Sequence, residues 1–140
     1  MARQQLLLNI PQDALCITAL AAEVIGAGLL VEATAESTDQ GITVSLSNGE
    51  TVAVLGYTKL GAAAIGDPID VWLEGIFQVV VDSGSAAIAF GDPLMSAGNG
   101  QVTKAATIGI GDYTIGTALH ASAAGKQVSF KFVQWLDQVA

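Results

Sequence analysis

Hydrophobic and polar residues alternate in short runs along most of the chain from residue 29 onward, and Gly, Asn, Asp or Pro separates the runs. Alternation with a period of two is typical of half-buried β-strands, because successive side chains point to opposite faces of a sheet. The clearest runs are Ile42, Val44 and Leu46; Ile69, Val71 and Leu73; Phe77, Val79 and Val81; and Val128, Phe130 and Phe132. The pattern predicts a mainly β protein.

The first strong run is predicted to form a β-hairpin. The strand Ile42–Ser47 is followed by turn residues and then by the apolar chain around Val52. A loop of three residues, Asn48–Glu50, places Leu46 opposite Val52 and gathers the apolar side chains on one face, which a two-residue turn does not do. We therefore predict the three-residue loop, with Gly49 in the left-handed region.

Gly75 separates the runs 69–73 and 77–81, and two arrangements remain open there. The chain forms either a hairpin that turns at residues 74–76 or one long strand with a bulge at Gly75.

Turn sequences also mark where later strands begin. Gly66-Asp67-Pro68 recurs as Gly91-Asp92-Pro93, and we predict that each Gly-Asp forms a turn and each Pro opens a strand. A final strand pair is predicted from residues 113–119 and 128–133, joined by a turn at residues 123–125.

The N-terminal residues form a separate segment. Leu6, Leu7, Leu8 and Ile10 are apolar, and Pro11 interrupts regular strand pairing. They are interpreted either as anchors of an extended arm or as an edge strand of the chain's own sheet. We expect an N-terminal arm over residues 1–13 and one β-rich domain over residues 14–140.

Residues 14–31 are apolar except for Glu23, and the pattern does not decide between strand and helix. The segment is at the lower limit for a membrane-spanning helix. The charge of Glu23 and the helix-weakening Gly26 and Gly28 disfavour such a helix. We expect a buried strand or a contact between subunits, and no membrane as a partner.

Charge and composition narrow the classes of function. The chain has 13 acidic and 5 basic residues and a formal net charge of −8, whereas duplex binding requires a surplus of Lys and Arg. Nucleic acid is therefore not expected as a direct partner. Only 13% of residues are charged, and Ala and Gly supply more than a quarter of the chain. A chain so poor in charge and so rich in small residues is expected to bury part of its surface in an oligomer or in a larger shell.

The usual catalytic constellations are missing. Cys16 is the only cysteine and His120 the only histidine, which excludes an intramolecular disulfide and a Cys/His zinc site within one chain. No phosphate-binding loop or nucleophile motif occurs. His120 is interpreted as structural, and Asp67 and Asp70 as turn-capping or solvated residues rather than a metal pair. We expect no enzyme activity and no cofactor.

One short segment resembles an active-site loop. Val79–Ala86 contains Asp82-Ser83-Gly84 after three valines, which is similar to the loop of retroviral-type aspartic proteases, homodimers in which each subunit supplies one Asp. The Arg-containing element of that family is missing, because Ile110-Gly111-Asp112 has no Arg beside it. An Asp-Ser-Gly turn is also ordinary loop chemistry.

The ordered series of turns and strands from residue 41 onward resembles the capsid decoration proteins of tailed phages, also called cement proteins. Each piece is only a turn plus a strand, and the resemblance depends on their order and spacing over about two-thirds of the chain. The segments that carry it are Gly41–Val44, Gly66–Gly75, Ala87–Leu94, Gly100–Thr103, Ile115–Gly125 and Val128–Phe132.

The resemblance implies a small β-barrel or β-tulip-like sandwich of short antiparallel strands that assembles as a homotrimer. It implies a position on the outer surface of a phage head, where the trimers tie together copies of the major capsid protein. The protein would then be a virion component assembled in the host cytoplasm, without catalysis or a cofactor.

Six residues are candidate contacts with the capsid or with sister subunits. Leu6, Leu7, Leu8 and Ile10 are the candidate arm anchors. Trp135 is interpreted as a further anchor or as a lid on the β core, because aromatic residues commonly dominate interface energetics. Trp72 lies on the strand face opposite Val71 and is a candidate for a trimer seam.

An alternative function from another class is a β-rich glycan- or receptor-binding module of a virion fibre. This role needs aromatic side chains exposed on a concave face, and the chain has only two Trp and two Tyr. A homodimeric aspartic protease is a distant third possibility.

Overall fold

A computed structural model describes residues 16–38, 41–62, 64–105, 109 and 111–137. The regular structure within these ranges is entirely β, and no helix in this part of the chain could cross a membrane. The strands are β1 (Cys16–Ala21), β2 (Leu29–Ala33), β3 (Thr43–Leu46), β4 (Gly56–Thr58), β5 (Pro68–Trp72), β6 (Ile76–Val80), β7 (Pro93–Gly98), β8 (Gln101–Lys104), β9 (Tyr113–Thr114), β10 (Gly116–Thr117), β11 (Gln127–Lys131) and β12 (Trp135–Leu136). The predicted mainly β class is confirmed.

The first five strands close into a barrel in the order β1-β3-β2-β4-β5. Most neighbours are antiparallel, but β1 and β3 are parallel, with Leu20 opposite Thr43. The expectation of antiparallel strands throughout is therefore wrong at this pair. The reason is topological: a closed ring with an odd number of strands cannot be antiparallel at every pair. The other four pairs of this five-stranded ring are antiparallel, so β3 must run in the same direction as β1.

The hairpin predicted at Asn48–Glu50 is wrong. Strand β3 pairs with β2, where Leu46 lies opposite Val31, and not with the chain around Val52. Because β2 also pairs with β4 on its other edge, the chain after β3 must pass around β2 before it forms β4. Gly49 has the expected positive φ, 106°, but it belongs to this connection, in which Val52 is exposed.

Strand β2 is buried on both faces, which explains the apolar run at its start. Val31 belongs to the barrel core, while its neighbour Leu30 belongs to a second core. A strand with both faces buried is continuously hydrophobic rather than alternating. The open question of strand or helix for residues 14–31 is thereby decided in favour of strands for its described part, residues 16–31.

The buried hydrophobic side chains of the described residues pack into two cores. The barrel core consists of Ala19, Ala21, Ile25, Val31, Val44, Ala62, Ile69 and Val71. The second core consists of Leu30, Val54, Phe77, Val79, Val81, Ile88, Leu94, Val102, Ile115, Ala118, Val128 and Phe130.

Strands β6, β7, β8, β10 and β11 surround the second core in a circuit of pairings. Strand β11 pairs with β6, β10 with β7, and β7 with β8. Isolated bridges complete the circuit, from Ala118 to Phe130 and from Val81 to Val102.

The predicted final pair of residues 113–119 with 128–133 is confirmed in part. Ala118 bridges Phe130, the Leu119 N–H donates to the Ser129 carbonyl at 2.9 Å, and the Val133 N–H donates to the Ile115 carbonyl at 3.2 Å. The prediction missed the second partner of this strand, because β11 forms its longer ladder with β6, where Phe130 lies opposite Phe77.

Neither arrangement considered at Gly75 occurs. Strand β5 belongs to the barrel, whereas β6 pairs with β11, so residues 73–75 carry the chain from one core to the other. Gly75 has a φ of 128°, which L side chains rarely adopt. The two stripes themselves are confirmed: Ile69, Val71, Phe77, Val79 and Val81 are buried.

Candidate functional site

Three turns share one construction, and the first two of them carry exposed large apolar side chains; we call all three the Gly-Asp turns. In Ala64–Asp67, the Asp67 carboxylate accepts the Ala64 N–H at 3.0 Å, and the Asp67 N–H donates to the Ala64 carbonyl at 3.2 Å. The same two bonds occur in Ala89–Asp92, at 2.8 and 3.1 Å, and between the end residues of Gly109–Asp112, at 2.7 and 3.1 Å. The Asp side chain therefore closes each turn, as its sequence position predicted for the first two.

Each Gly-Asp turn is also fixed to another segment by two backbone hydrogen bonds. Gly66 donates to the Ala21 carbonyl at 2.8 Å, and Ala21 donates to the Asp67 carbonyl at 2.9 Å. The second turn makes the equivalent bonds with Ala118, and the third makes them with Asp137. The glycines have φ of 86°, 86° and 91°, a region that favours glycine. The hydrogen bonds that close each turn and the two that attach it to another segment together hold its backbone rigidly in place.

In the first two Gly-Asp turns, the residue before the glycine has a large apolar side chain that is exposed to solvent. Ile65 is 75% exposed and Phe90 is 70% exposed. Leu20 and Leu119, which adjoin the residues to which the first two turns are attached, are also exposed. Rigid exposed apolar side chains lose little conformational entropy on binding, so they are suited to an interface.

A shallow cavity of about 310 Å³ lies beside the first turn. Its lining includes Leu20, Glu36, Thr43 and Ile65. A hydrogen bond to the Thr34 hydroxyl is the main cause that lowers the pKa of Glu36, so a carboxylate borders an otherwise largely apolar depression.

The C-terminal strand forms another exposed apolar surface, the Trp135 patch, consisting of Val52, Val133, Trp135 and Leu136. The Gln134 side chain accepts the Val54 N–H at 2.7 Å and donates to the Val54 carbonyl at 3.0 Å, which fixes this segment to the loop that contains Val52. Trp135 is 42% exposed and is a member of neither core.

Trp72 has a different environment from Trp135. It is half-buried and packs against the second core, and the Lys59 ammonium lies 4.3 Å from the centre of its ring. A cavity of about 190 Å³ beside it is lined by Lys59, Leu60, Asp70 and Trp72. The structure therefore does not bring together the two tryptophans proposed from the sequence. Leu6, Leu7, Leu8 and Ile10 lie outside the described residues.

The catalytic-looking residues form ordinary turn and strand contacts. The Asp82 carboxylate accepts the Gly84 N–H at 2.9 Å, which is the turn that its sequence suggests. His120 Nε2 accepts the Ser129 N–H at 3.0 Å, and Nδ1 lies 2.9 Å from the Ala121 carbonyl oxygen. Within the described ranges, no group of three or more His, Cys, Asp or Glu residues is placed to hold a metal ion.

Asp92 and Cys16 also have shifted pKa values. Hydrogen bonds from the Ala89 N–H and from Lys104, whose ammonium is 3.1 Å away, lower the pKa of Asp92. Burial, followed by the nearby charge of Asp70, raises the pKa of the Cys16 thiol, which makes it a weaker nucleophile at neutral pH.

Sequence reasoning missed Ile65 and Phe90 as candidate contact residues, and it missed the third Gly-Asp turn. The available pattern was Ala or Gly, a large apolar residue, then Gly-Asp, at Ala64–Asp67, Ala89–Asp92 and Gly109–Asp112. The third example was considered only in relation to the protease element, and Tyr113 rather than a proline follows it.

The fold is similar to that of a solved phage protein. The crystal structure of the N base of head fiber gp8.5 of bacteriophage phi29 superposes with a TM-score of 0.65 and 22% sequence identity, covering 84% of this chain and 92% of that one. A comparison with curated protein sequences gives no significant match. The sequence model of the phage cement proteins matches residues 12–133, most of the chain, and the protein therefore belongs to the phage cement protein family, with a structural role in the virion.

Proposed function

We propose that the protein is a capsid decoration protein that binds the outer surface of a phage head as a homotrimer. In this role it stabilises the lattice of major capsid protein and carries out no catalysis. It becomes part of the virion after assembly in the host cytoplasm. Membership of the cement family supports the proposal, and the rigid exposure of Ile65 and Phe90 is the structural observation that carries it.

These exposed side chains support burial by other protein chains. Ile65, Phe90 and Trp135 each lie on a segment that hydrogen bonds fix in place. Large apolar groups held rigidly in water favour association, because burial removes apolar surface from water without a large ordering cost. The described segments therefore offer three separate surfaces, which is what a subunit needs if it contacts both sister copies and a lattice.

Stabilisation of the capsid then follows from mass action. A ligand that binds only the mature lattice stabilises it by RT ln(1 + [L]/Kd) at each site, or about 2.7 kcal/mol when its free concentration is 100 times Kd. Many such sites on one shell together oppose rupture. No covalent chemistry is required.

The experiment that tests this role uses purified protein and undecorated phage heads. We expect sedimentation to show a trimer, and we expect added protein to bind the heads and to raise the temperature at which they rupture. A monomer without affinity for the heads contradicts the proposal.

The alternative role as a glycan-binding module has weaker support. The cavity beside Trp72 contains the aromatic ring, an ammonium and a carboxylate, a combination found in sugar sites. However, the Lys59 ammonium already lies over the ring, where a sugar would stack. A glycan array with the wild-type protein distinguishes the two roles, because decoration predicts no saturable sugar binding.

A further inference from the structure

Asn-Gly occurs twice in the chain, at Asn48-Gly49 and at Asn99-Gly100, and the fold brings the two pairs close together. The Gly100 N–H donates to the carbonyl of Ser47, the residue before Asn48, at 3.2 Å. Both asparagines line the same polar cavity of about 320 Å³. Any chemistry that depended on the dipeptide alone would therefore act on two neighbouring sites.

An Asn-Gly pair is the dipeptide in which an asparagine side chain loses its amide most readily. The backbone nitrogen of the glycine gives up its proton to a base in solution and attacks the side-chain Cγ. A new C–N bond closes a succinimide ring, and the amide nitrogen leaves as ammonia. Water then opens the ring at either carbonyl, which gives aspartate or isoaspartate. Glycine favours the attack because it has no side chain to block the close approach.

The Asn48-Gly49 pair is free to follow this course. Asn48 is exposed, and the Gly49 N–H donates no hydrogen bond to any described residue. A Cβ at Gly49 would meet no atom within 4 Å, so the backbone has room to move toward the side chain. Attack by this nitrogen therefore breaks no tertiary contact of the backbone.

The Asn99-Gly100 pair is held in the opposite condition. Asn99 is also exposed, but Gly100 is buried and its N–H is engaged with Ser47. The Gly100 carbonyl accepts the Leu30 N–H at 2.9 Å, and a Cβ at Gly100 would lie 2.8 Å from Cβ of Leu29. The nitrogen that must attack is hydrogen-bonded and closely packed, so the ring can close only after the chain opens locally.

We propose that Asn48 is a site of spontaneous deamidation in the folded protein, whereas the fold protects Asn99. The carboxylate that forms at Asn48 lies in the lining of the polar cavity, which already contains Glu23 and Glu32. Like charges that share a site repel one another, and isoaspartate also lengthens the backbone next to the buried Ser47. The modified protein is therefore less stable than the native one, a change that proceeds with time and requires no partner.

The test incubates the purified full-length protein in mildly alkaline buffer and follows both Asn-Gly peptides by proteolysis and mass spectrometry. In the native protein we expect Asn48 to convert at least tenfold faster than Asn99, because the second site must first break hydrogen bonds. In guanidinium chloride both pairs are released from the fold, and we expect them to convert at comparable rates. The unfolded chain thus shows whether the difference comes from the fold or from the flanking sequence.

Three variants connect the modification to stability. Asn48→Asp introduces the charge without the lengthened backbone, and we expect it to lower Tm. Asn48→Ser removes the reactive amide, and we expect it to abolish the loss of Tm that the wild-type protein shows on incubation. Asn99→Gly is the matched control, because glycine accepts the φ of 52° at this position, and it is expected to leave that loss unchanged.

An intact Asn48 in the native protein, after a time that converts it in the unfolded chain, overturns the proposal. Conversion of Asn99 as fast as Asn48 in the native protein overturns it as well, because the fold then offers no protection. An unchanged Tm in Asn48→Asp overturns the expected effect of the charge. No capsid takes part in these measurements, so their failure leaves the decoration role unaffected.

Discussion

The barrel core and the second core are filled by different kinds of side chain, yet each has the same kind of turn attached to it. Small and aliphatic residues fill the barrel core, and no aromatic residue is part of it. Phe77 and Phe130 fill the second core, with their rings in edge contact at 6.1 Å between centres. Protein interiors are closely packed, so the side chains that fill a core must match the space that its strands enclose. The Gly-Asp turns, by contrast, have the same construction beside both cores.

The same turn stands beside two dissimilar cores, and in both places it presents a large apolar side chain to solvent. Ile65 stands beside the barrel core and Phe90 beside the second core, and both are about three-quarters exposed. Neither side chain contributes to a core, so folding alone does not require an apolar residue at either position. The proposed contact with other protein chains would account for both.

The largest expected effect comes from a substitution that disrupts the second core and leaves the barrel core intact. Phe130→Ala removes a fully buried ring from the second core and is expected to lower the free energy of unfolding by about 3–5 kcal/mol. Ile69→Val in the barrel core is the milder reference, with an expected loss of about 0.5–1.5 kcal/mol. Urea unfolding measures both. A loss below 1 kcal/mol for Phe130→Ala would show that the second core is not closely packed.

A smaller effect tests whether the two turns are equivalent. Gly66 and Gly91 share a φ of 86°, and a Cβ at either position meets no neighbouring atom within 4 Å. Gly66→Ala and Gly91→Ala are therefore expected to cost the same, about 1–2 kcal/mol each, from backbone strain alone. Gly41→Ala is the control, because Gly41 has open space and no positive φ. Unequal costs measured by thermal unfolding would contradict the shared construction.

The smallest expected effect depends on the charge of Asp92, in the second Gly-Asp turn. Because its partners lower the pKa of folded Asp92 below the unfolded value of about 3.9, its carboxylate stabilises the protein above that pH. This contribution is lost as the pH falls through the folded pKa. Asp92→Asn is expected to remove that part of the acid destabilisation, which develops as the pH falls below about 3.9. Thermal unfolding of both proteins across this range is the measurement, and identical pH profiles would exclude the contribution.

Side-chain alternation was sufficient to predict which faces are buried. The stripes around Val71, Val79 and Phe130 are buried as expected, because period-two patterning depends only on local geometry. Pro68 and Pro93 do open strands, since a missing N–H is tolerated at a strand's first position.

Strand partners could not be predicted in the same way. Leu46 pairs with Val31 rather than with Val52, and β11 pairs with β6 across a long stretch of sequence. Such pairings depend on the closure of a barrel and not on the turn that follows a strand. Likewise, no local pattern shows that Ala21 and Ala118 hold the Gly-Asp turns in place.

The candidate site was predicted only in part. Trp135 is exposed as an anchor must be, and its role at an interface stays a prediction. Trp72 is half-buried within its own chain, and its role in a trimer seam also stays a prediction. Exposure of Ile65 and Phe90 was not foreseen because an apolar residue beside a turn reads equally well as part of the core. The exposure of both side chains becomes evident only in the folded chain.

The most direct test of the account measures the affinity of a double variant, Ile65→Asp with Phe90→Asp, for undecorated phage heads. Ser83→Asp, on an exposed turn of another kind, is the control, and thermal unfolding verifies that each protein is folded. The account predicts at least a tenfold loss of affinity for the double variant and none for the control, because burial of two apolar side chains is replaced by burial of two charges. Binding of the double variant with wild-type affinity would contradict the claim that the Gly-Asp turns are the contact surfaces.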